Sequence, residues 1–490
     1  MVFPIAGGTQ DTSYEISNSL MFEDGDGADL SRTPSANGNR KTFTFSTWLK
    51  IGNIPTADYD FFSANTTNNF NDVMRIRSDE SLQISATVSG DNSNGYKFRS
   101  DMKFRDPSAW YHIVVAVDTT QATNSNGLKI YVNGSLISGT YDSYNQNIST
   151  SFNKDGSTMS IGHRENDGGN HYDGYISETH FIDGSQLDSS YFGKTDNNGV
   201  WVPKQYTGSY GTNGFFLEFK QTGTGQNSSG IGADTSGNDN HFAVTNLIDR
   251  DVAVDTPTNN FAVLNSAANL QNGTVSQGNT KLVTHGGTSN NSLTPGTIGV
   301  QNGKWYVEVY FDSTNYPATG IMPDDTITDV KAGTGSNNSV YLGKSGSLSR
   351  FLRYDGQKSS SNSNSTYMAA VNGGDKVVQI ALNMDDGQIT FGANGQWANG
   401  SGSTNQTFSN STAAFTDINS SGDYTDKFAM FIFADENYGT SDVLLTNFGG
   451  CPPYAISGTV YSDANGYGKF KYEVPSGYYS VCTKNLAEFG

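Results

Sequence analysis

A pair of carboxylates is the first kind of catalytic group that the acidic residues of this sequence could form. Glycosidases need two carboxyl groups about 5–10 Å apart across a cleft. A closely spaced Glu/Asp run on one strand would supply them, but Glu178 lies near Asp173 and Asp183 without such spacing. Glu308 stands alone between two valines. We therefore interpret Glu178 as an outward-facing strand residue and predict no catalytic carboxylate pair.

The sequence also lacks the familiar motifs of nucleophilic catalysis and cofactor binding. The sequence contains no Gly-x-Ser-x-Gly elbow, P-loop or dinucleotide fingerprint. The six histidines lie in strand-like runs or polar loops: His112, His163, His171, His180, His241 and His285. His112 lies inside an apolar run, which indicates a satisfied core or edge histidine rather than a base. The sequence predicts that the chain is not an enzyme.

Calcium is the most plausible ligand, although no cofactor is required. The candidate ligands share oxygen-bearing side chains in turn-rich loops: Asp24, Asp26, Asp29, Asp234, Asn238 and Asp239. Position 35, where an EF-hand would need glutamate, is Ser35. That excludes an EF-hand and leaves ordinary turns as the other interpretation of both loops.

Aromatic platforms for sugar binding are the remaining candidate sites. Trp48, Trp110 and Trp305 fall in strand-like runs and are expected in the core. Trp201 and Trp397 lie nearer to loops, so they are the better candidates for ligand binding, with packing as the alternative role for each.

Composition limits the possible partners. The net charge of −19 disfavours nucleic-acid phosphates and anionic lipid. Aromatic residues make up 12% of the chain, and Gly, Asn and Ser fill the segments between short apolar runs, as in all-β proteins. The two cysteines, Cys451 and Cys482, leave both a disulfide and a reduced pair open.

The N-terminus has no basic region followed by an apolar stretch, and no run of about 18 apolar residues occurs. We therefore expect a protein that is made in the cytoplasm without a signal peptide and is not inserted into a membrane.

Short strand-like runs recur along the chain. Residues 41–51 alternate, with Phe43 and Phe45 on one face and Trp48 and Lys50 on the other. Asn133-Gly134 separates two strand patterns, which predicts a hairpin. The ordered series resembles a laminin-G or concanavalin A-like jelly roll over residues 15–195. The motifs that carry the resemblance are residues 19–22, 45–48, 110–113, 130–134, 161–162 and 172–177.

A second series, over residues 271–450, resembles the SPRY β-sandwich. Its carrying motifs are residues 303–305 with Glu308, Gly374-Asp375, the Asp-Gly turn ending at Phe391, and residues 447–449. The predicted organisation is all-β: two β-sandwich domains, joined by a polar β-rich bridge. An N-terminal arm (1–14), the bridge (196–270) and a C-terminal closing segment (451–490) complete the chain.

This module order, with the opening motif at residues 3–9, resembles tail-fibre or virion structural proteins of marine bacteriophages of the cyanophage and pelagiphage kind. The resemblance implies a tail fibre, tail tip or spike in the virion. Such a protein would bind other virion proteins and a host-surface glycan or protein without catalysis, as a homo-oligomer, most plausibly a trimer. A polysaccharide depolymerase and a capsid decoration or architectural protein remain the alternatives.

Overall fold

The computed structural model describes residues 14–65, 72–88, 91–164, 169–269, 273–285, 292–312, 315–326, 349–360, 363–420, 422–435 and 441–490. The chain divides into two compact units, one within residues 9–258 and one that includes residues 259–490. The bridge expected at 196–270 is therefore shared between the units, most of it within the first. The N-terminal arm expected at 1–14 lies outside the described residues, except for Tyr14.

The first unit consists almost entirely of β-strands. In chain order they are β1 (Ser19–Phe22), β2 (Asp29–Arg32), β3 (Thr42–Ile51), β4 (Tyr59–Asn65), β5 (Asp72–Ile76), β6 (Ser81–Val88), β7 (Asp91–Lys103), β8 (Tyr111–Asp118), β9 (Leu128–Val132), β10 (Ser135–Leu136), β11 (Gly139–Tyr144), β12 (Thr158–Ile161), β13 (Gly174–Asp183), β14 (Gly193–Thr195), β15 (Trp201–Pro203), β16 (Phe215–Leu217), β17 (Ala243–Thr245) and β18 (Val252–Ala253). Its described helical turns are short: α1 (Asn124–Gly127) and 3-10 turns at Asp24–Asp26, Ser189–Tyr191 and Asp249–Asp251.

Sixteen of these strands form two antiparallel sheets that enclose an aromatic core, and β14 pairs with β15 in a separate two-stranded sheet. One sheet has the order β10-β9-β8-β3-β13-β1-β18, with β16 also paired to β13, and the other has the order β11-β7-β6-β5-β4-β12-β2-β17. Phe45 of the first sheet stacks on Phe62 of the second, with ring centroids 4.4 Å apart. The predicted all-β sandwich is confirmed.

Strand β3 is buried on both faces, although its sequence alternates. Phe43 and Phe45 enter the core, as the pattern predicts. On the other face, Trp48 and Lys50 are also buried, at 4% and 0% exposure. The covering chain follows β13: the Thr44 hydroxyl donates to the Ser185 carbonyl, at 2.7 Å. The chain after β13, including Asp255 of the bridge, which pairs with Lys50, thus adds a third layer over the polar face of the sheet.

The predicted hairpin joins β9 to β10. Asn133 and Gly134 both have positive φ, 47° and 83°, as a two-residue hairpin of this kind requires. Val132 pairs with Ser135 across the turn.

The second unit is also β-rich. Its strands are β19 (Thr274–Ser276), β20 (Lys281–Val283), β21 (Leu293–Val300), β22 (Lys304–Phe311), β23 (Pro317–Pro323), β24 (Arg350–Arg353), β25 (Gln357–Ser360), β26 (Ser363–Thr366), β27 (Lys376–Asn383), β28 (Gln388–Ala393), β29 (Gln396–Ala398), β30 (Thr404–Gln406), β31 (Ala429–Asp435), β32 (Val443–Asn447) and β33 (Tyr479–Ser480). Helix α2 (Thr483–Phe489) and 3-10 turns at Ser266–Ala268 and Asn410–Thr412 accompany them.

Two sheets again form the sandwich. The larger has the order β19-β20-β32-β22-β27-β28-β29-β30, and the smaller has the order β21-β31-β23-β24-β25-β26. The C-terminal segment adds β33, which runs parallel to β22. Cys451 and Cys482 are both buried, and no disulfide joins them. No helix among the described residues is long and apolar enough to span a membrane.

Glu308 of β22 attaches the C-terminal segment to the larger sheet. Its carboxylate is fully buried and accepts the backbone N–H groups of Lys471 and Tyr472, at 2.9 and 2.8 Å. The hydroxyls of Tyr454 and Tyr306 donate to it as well, at 2.7 and 3.0 Å. Burial raises the pKa of Glu308, while these donors oppose the shift. The solitary glutamate of the sequence is therefore a structural acceptor.

We expect Glu308→Ala to lower the free energy of unfolding by about 2–4 kcal/mol, because it leaves several largely buried hydrogen-bond donors without an acceptor. Urea denaturation, with the exposed neighbour Glu473→Ala as the matched control, measures this effect. A loss below about 0.5 kcal/mol, the usual limit for surface substitutions, would contradict this role for Glu308.

Candidate functional site

A β-bulge in β13 sets the geometry of the main candidate site. The pairing of β13 with β3 shifts register between Ser177 and His180. Within the shift, Glu178 has φ of 46°, a left-handed value that side chains other than glycine adopt at a cost. Bulges of this kind redirect a side chain, and they are common near functional sites.

The bulge places Glu178 in a buried hydrogen-bonded group. Its Oε1 accepts the Tyr14 hydroxyl at 3.2 Å and lies 3.0 Å from His180 Nε2. His180 Nδ1 lies 2.9 Å from the Tyr210 hydroxyl, and the His180 ring stacks on Phe216 at 4.2 Å. The Glu178 side chain is only 4% exposed. The sequence predicted an outward-facing residue, but residues outside β13 cover it.

A small cleft opens beside this carboxylate. It encloses about 220 Å³, counting its open mouth, and its lining consists of Tyr14, Glu15, Ile16, Ser17, Glu178, Phe216, Glu218 and Lys220. Thr179 pairs with Leu217, so Glu178 and Glu218 are neighbours at the end of the β13–β16 ladder. Lys220 forms an ion pair with Glu218. The cleft thus combines three carboxylates with one ammonium group.

Tyr14 acts as a neutral donor in this group. Burial and the nearby Glu178 carboxylate raise the pKa of Tyr14 well above its usual value. Burial raises the pKa of Tyr210 in the same way, and Glu178 adds to the effect. Both phenols therefore keep their protons at neutral pH and can donate them in hydrogen bonds.

Sequence reasoning identified Glu178 but missed Tyr14, Glu218 and Lys220. The alternation in residues 214–219 could have placed Phe216 and Glu218 on one face. The pairing of that short strand with β13 is a long-range contact, and no local pattern encodes it.

Trp201, a predicted ligand platform, is half-buried and attaches β15 to the first sheet. Its indole N–H lies 3.0 Å from His112 Nδ1, and His112 Nε2 lies 2.9 Å from the Ser46 hydroxyl. Burial lowers the pKa of His112 to about 3, so the ring is neutral. A Cβ on Gly134 would come within 2.4 Å of the Trp201 ring. These contacts match the packing alternative for Trp201.

Trp397, the second predicted platform, is 4% exposed. It packs in an aromatic cluster with Tyr306, Phe470 and Tyr478. Phe408 meets it edge-on, with ring centroids 4.8 Å apart. Trp201 belongs to the first unit and Trp397 to the second. Trp48, Trp110 and Trp305 are buried, as expected of core residues.

The first calcium candidate is a turn whose carboxylates have different environments. Asp24 and Asp26 are exposed on a 3-10 turn, whereas Asp29 is 8% exposed at the start of β2. Asn246 fixes the turn by donating to the carbonyls of Asp26 and Gly27. Among the described residues, no group of three or more His, Cys, Asp or Glu side chains is placed to hold a metal ion.

The second calcium candidate is an organised loop. Asp234 accepts the backbone N–H groups of Phe216, Ser236 and Asn240, at 2.8–2.9 Å. The Asn238 amide donates to the carbonyls of Gly211 and Gly214, while the Asp239 side chain is 88% exposed. Asp234 and Asn238 therefore hold the loop together, and Asp239 points to solvent.

Asp173 is a buried carboxylate near the first of these loops. Its Oδ2 accepts the Asn53 backbone N–H at 2.9 Å, and no described group donates to its Oδ1. Burial raises the pKa of Asp173 to about 7, and the negative charge of Asp24 adds to the shift.

Comparison with known proteins supports the fold. Residues 24–187 match the family model Laminin_G_3, described as the concanavalin A-like lectin/glucanases superfamily. No curated protein matches the chain by sequence.

Three solved structures illustrate the fold similarity. A heptameric SAP-like pentraxin from Limulus polyphemus shares 18% identity, with coverage of 36% of this chain and 80% of that chain and a TM-score of 0.27. A proposed carbohydrate binding protein from Bacteroides ovatus shares 14%, with coverage of 47% and 59% and a TM-score of 0.31. The SPRY domain of human HERC1 shares 15%, with coverage of 39% and 99% and a TM-score of 0.27. At these values the likeness concerns the fold alone.

The Trp201 contact predicts a difference between two glycines. Gly134→Ala and Gly199→Ala place a Cβ at nearly the same φ, 83° and 81°, but only position 134 faces a ring. We expect Gly134→Ala to be the more destabilising by about 1–3 kcal/mol, as for overpacking. Thermal unfolding of both variants measures the difference. Equal losses of stability would mean that the Trp201 indole can move away from the added methyl group without an energetic cost.

Asp173 predicts a pH dependence. Because its folded pKa is raised, the folded state binds this proton more tightly than the unfolded chain. Its contribution to the free energy of unfolding therefore decreases from about pH 4 to about pH 7. Urea denaturation at pH 5 and pH 8 should show a smaller difference in Asp173→Asn than in the exposed control Asp101→Asn. Parallel pH profiles for the two variants would refute this assignment.

Proposed function

We propose that the chain is a non-enzymatic virion protein that binds a host-surface glycan, as part of a tail fibre, tail tip or spike. The observation that carries the glycan-binding part is the match of residues 24–187 to the concanavalin A-like lectin/glucanases superfamily. The virion part rests on the resemblance of the module order and the opening motif to marine phage proteins. Rigid sandwiches with polar loops are common scaffolds for such binding.

The environments of the conspicuous polar residues favour binding over turnover. Glu308 uses its carboxylate to hold the C-terminal segment, and both ring nitrogens of His112 are engaged by Ser46 and Trp201. A general base needs a lone pair within reach of its substrate. Neither residue offers one.

Polysaccharide hydrolysis is the second candidate, because Glu178 and Glu218 are neighbours on paired strands beside a cleft. Retaining glycosidases place two carboxyl groups about 5 Å apart. The cleft is, however, shallow, because its 220 Å³ includes the open solvent at its mouth, so it could enclose little of a sugar ring. The small volume makes binding the better proposal.

The proposal predicts saturable binding of the purified chain to host cells and not to non-host cells. Enzymatic removal of surface polysaccharide from the host should abolish this binding, whereas protease treatment of the cells should spare it. Binding in the presence and absence of a calcium chelator tests whether the loop at Asp24 and Asp26 takes part. Fluorescently labelled protein and flow cytometry provide the measurement.

Light scattering on the same preparation is expected to give three times the 52.6 kDa chain mass. Release of new reducing ends from the polysaccharide, abolished in Glu218→Gln, would replace the binding proposal with hydrolysis. A folded oligomer that binds no host cells would replace it with an architectural role, which antibody labelling of particles would then locate.

A further inference from the structure

We propose that three copies of the chain associate through an uncharged edge of the second unit, where β26 of one copy lies against β30 of the next. This inference rests on the proposed function, because it takes the expectation of a trimer from it. It names the surface at which the copies meet and the chemistry of their contact.

The first observation is a surface without acidic side chains. Residues 356–374 and 387–416 contain no Asp or Glu, although the chain has 48 such residues. The one basic residue in these segments, Lys358, donates to the Ala414 carbonyl. We call the exposed side of β25, β26, β30 and residues 399–403 the acid-free surface.

Contacts between the two segments make this a single surface. The Gly402 backbone N–H donates to the Tyr367 carbonyl at 3.2 Å. The Tyr367 hydroxyl in turn donates to the Thr412 carbonyl at 2.8 Å. The end of β26 and the loop before β30 are therefore held side by side.

The acidic residues at the borders of the two segments are paired. Asp355, just before the first segment, lies 3.5 Å from Arg353, and Asp417, just after the second, lies 3.1 Å from Arg350. Copies that each carry a net charge of −19 repel one another. Their approach is opposed least where carboxylates are absent, and this condition is most stringent where three copies converge.

The second observation is the strand edge that this surface contains. Apart from β30, the described strands that end the other edges of the four large sheets all carry a feature that hinders the addition of a further strand. Strands β10, β17, β18 and β19 have only two or three residues. Strand β11 carries Asp142 at a register shift, and β21 carries Pro295 at another.

Strand β26 has none of these features. Its four residues, Ser363–Thr366, are all exposed, include no charge and no proline, and pair with β25 without a register shift. In an antiparallel ladder alternate residues direct their N–H and C=O groups to the outer side. An added strand can bind these groups through its main chain alone.

The charge of the chain indicates which partner fits this edge. A basic partner would bind the acidic remainder of the chain, whereas another copy meets no like charges here. A two-fold contact of β26 with itself cannot form a trimer. A head-to-tail contact can close into a ring, and β30, the other uncharged edge of the same surface, is the strand available to receive β26.

Light scattering on the full chain over a dilution series tests the inference. We expect a trimer for the wild-type chain. Asn364→Asp adds one charge to β26, and its oxygen can still accept the Ser359 hydroxyl. It should raise the dissociation constant of the trimer at least about tenfold, because it brings like charges together. Asn126→Asp, a change of the same kind at an exposed position of the first unit, is the control and should leave association unchanged.

A compensating substitution tests the pairing of the two strands. Adding Asn405→Lys in β30 to the Asn364→Asp chain should restore association, because opposite charges then meet between neighbouring copies. The same pair of substitutions has no such effect in a two-fold contact of β26 with itself.

Circular dichroism and thermal unfolding establish that each variant is folded. A monomeric wild-type chain, an unchanged trimer in Asn364→Asp, equal dissociation in Asn126→Asp, or no rescue by Asn405→Lys would each overturn the inference. Host-cell binding is the separate measurement. A trimer that binds host cells and is unaffected by Asn364→Asp would refute this surface and leave the proposed function standing.

Discussion

The ion pair between Lys50 and Asp255 is the interaction on which the architecture of the first unit depends. The two side chains meet at 2.7 Å and are 0% and 1% exposed. The indole N–H of Trp110 donates to the other carboxylate oxygen at 3.2 Å. Removing one partner from such a pair leaves an unpaired buried charge and costs about 3–5 kcal/mol. The polar face of β3 is therefore compatible with folding only when the chain near Asp255 covers it.

That constraint explains why the bridge belongs to the sandwich. A strand that carries Ser46, Trp48 and Lys50 on one face would normally leave this face to water. Here His112 and Trp201 add a hydrogen-bonded stack above Ser46 and Trp48. Residues 186–258 are polar in sequence, yet several of their side chains, Asp255 among them, are buried.

Local pattern therefore predicted the strands well and the third layer poorly. The alternation in residues 41–51, the apolar run of β8 and the Asn133-Gly134 hairpin each follow from interactions within a few residues. The burial of Lys50 depends on a partner 205 positions away. Glu308 presents the same case in the second unit, since its donors lie more than 130 residues along the chain, apart from Tyr306. A solitary charged residue in a strand pattern carries no local sign of its partner.

The candidate site depends on the same long-range contacts. Glu178 could be recognised as a strand carboxylate, but its left-handed φ and its bulge result from the simultaneous pairing of β13 with β1, β3 and β16. Strand β16, which directly precedes Glu218, also places Phe216 against the His180 ring. The same strand therefore supports both the cleft and the covering layer. A conformation that costs about 1–3 kcal/mol persists only when the surrounding structure over-determines it. Three paired strands and the contacts of Glu178 with Tyr14 and His180 provide that support.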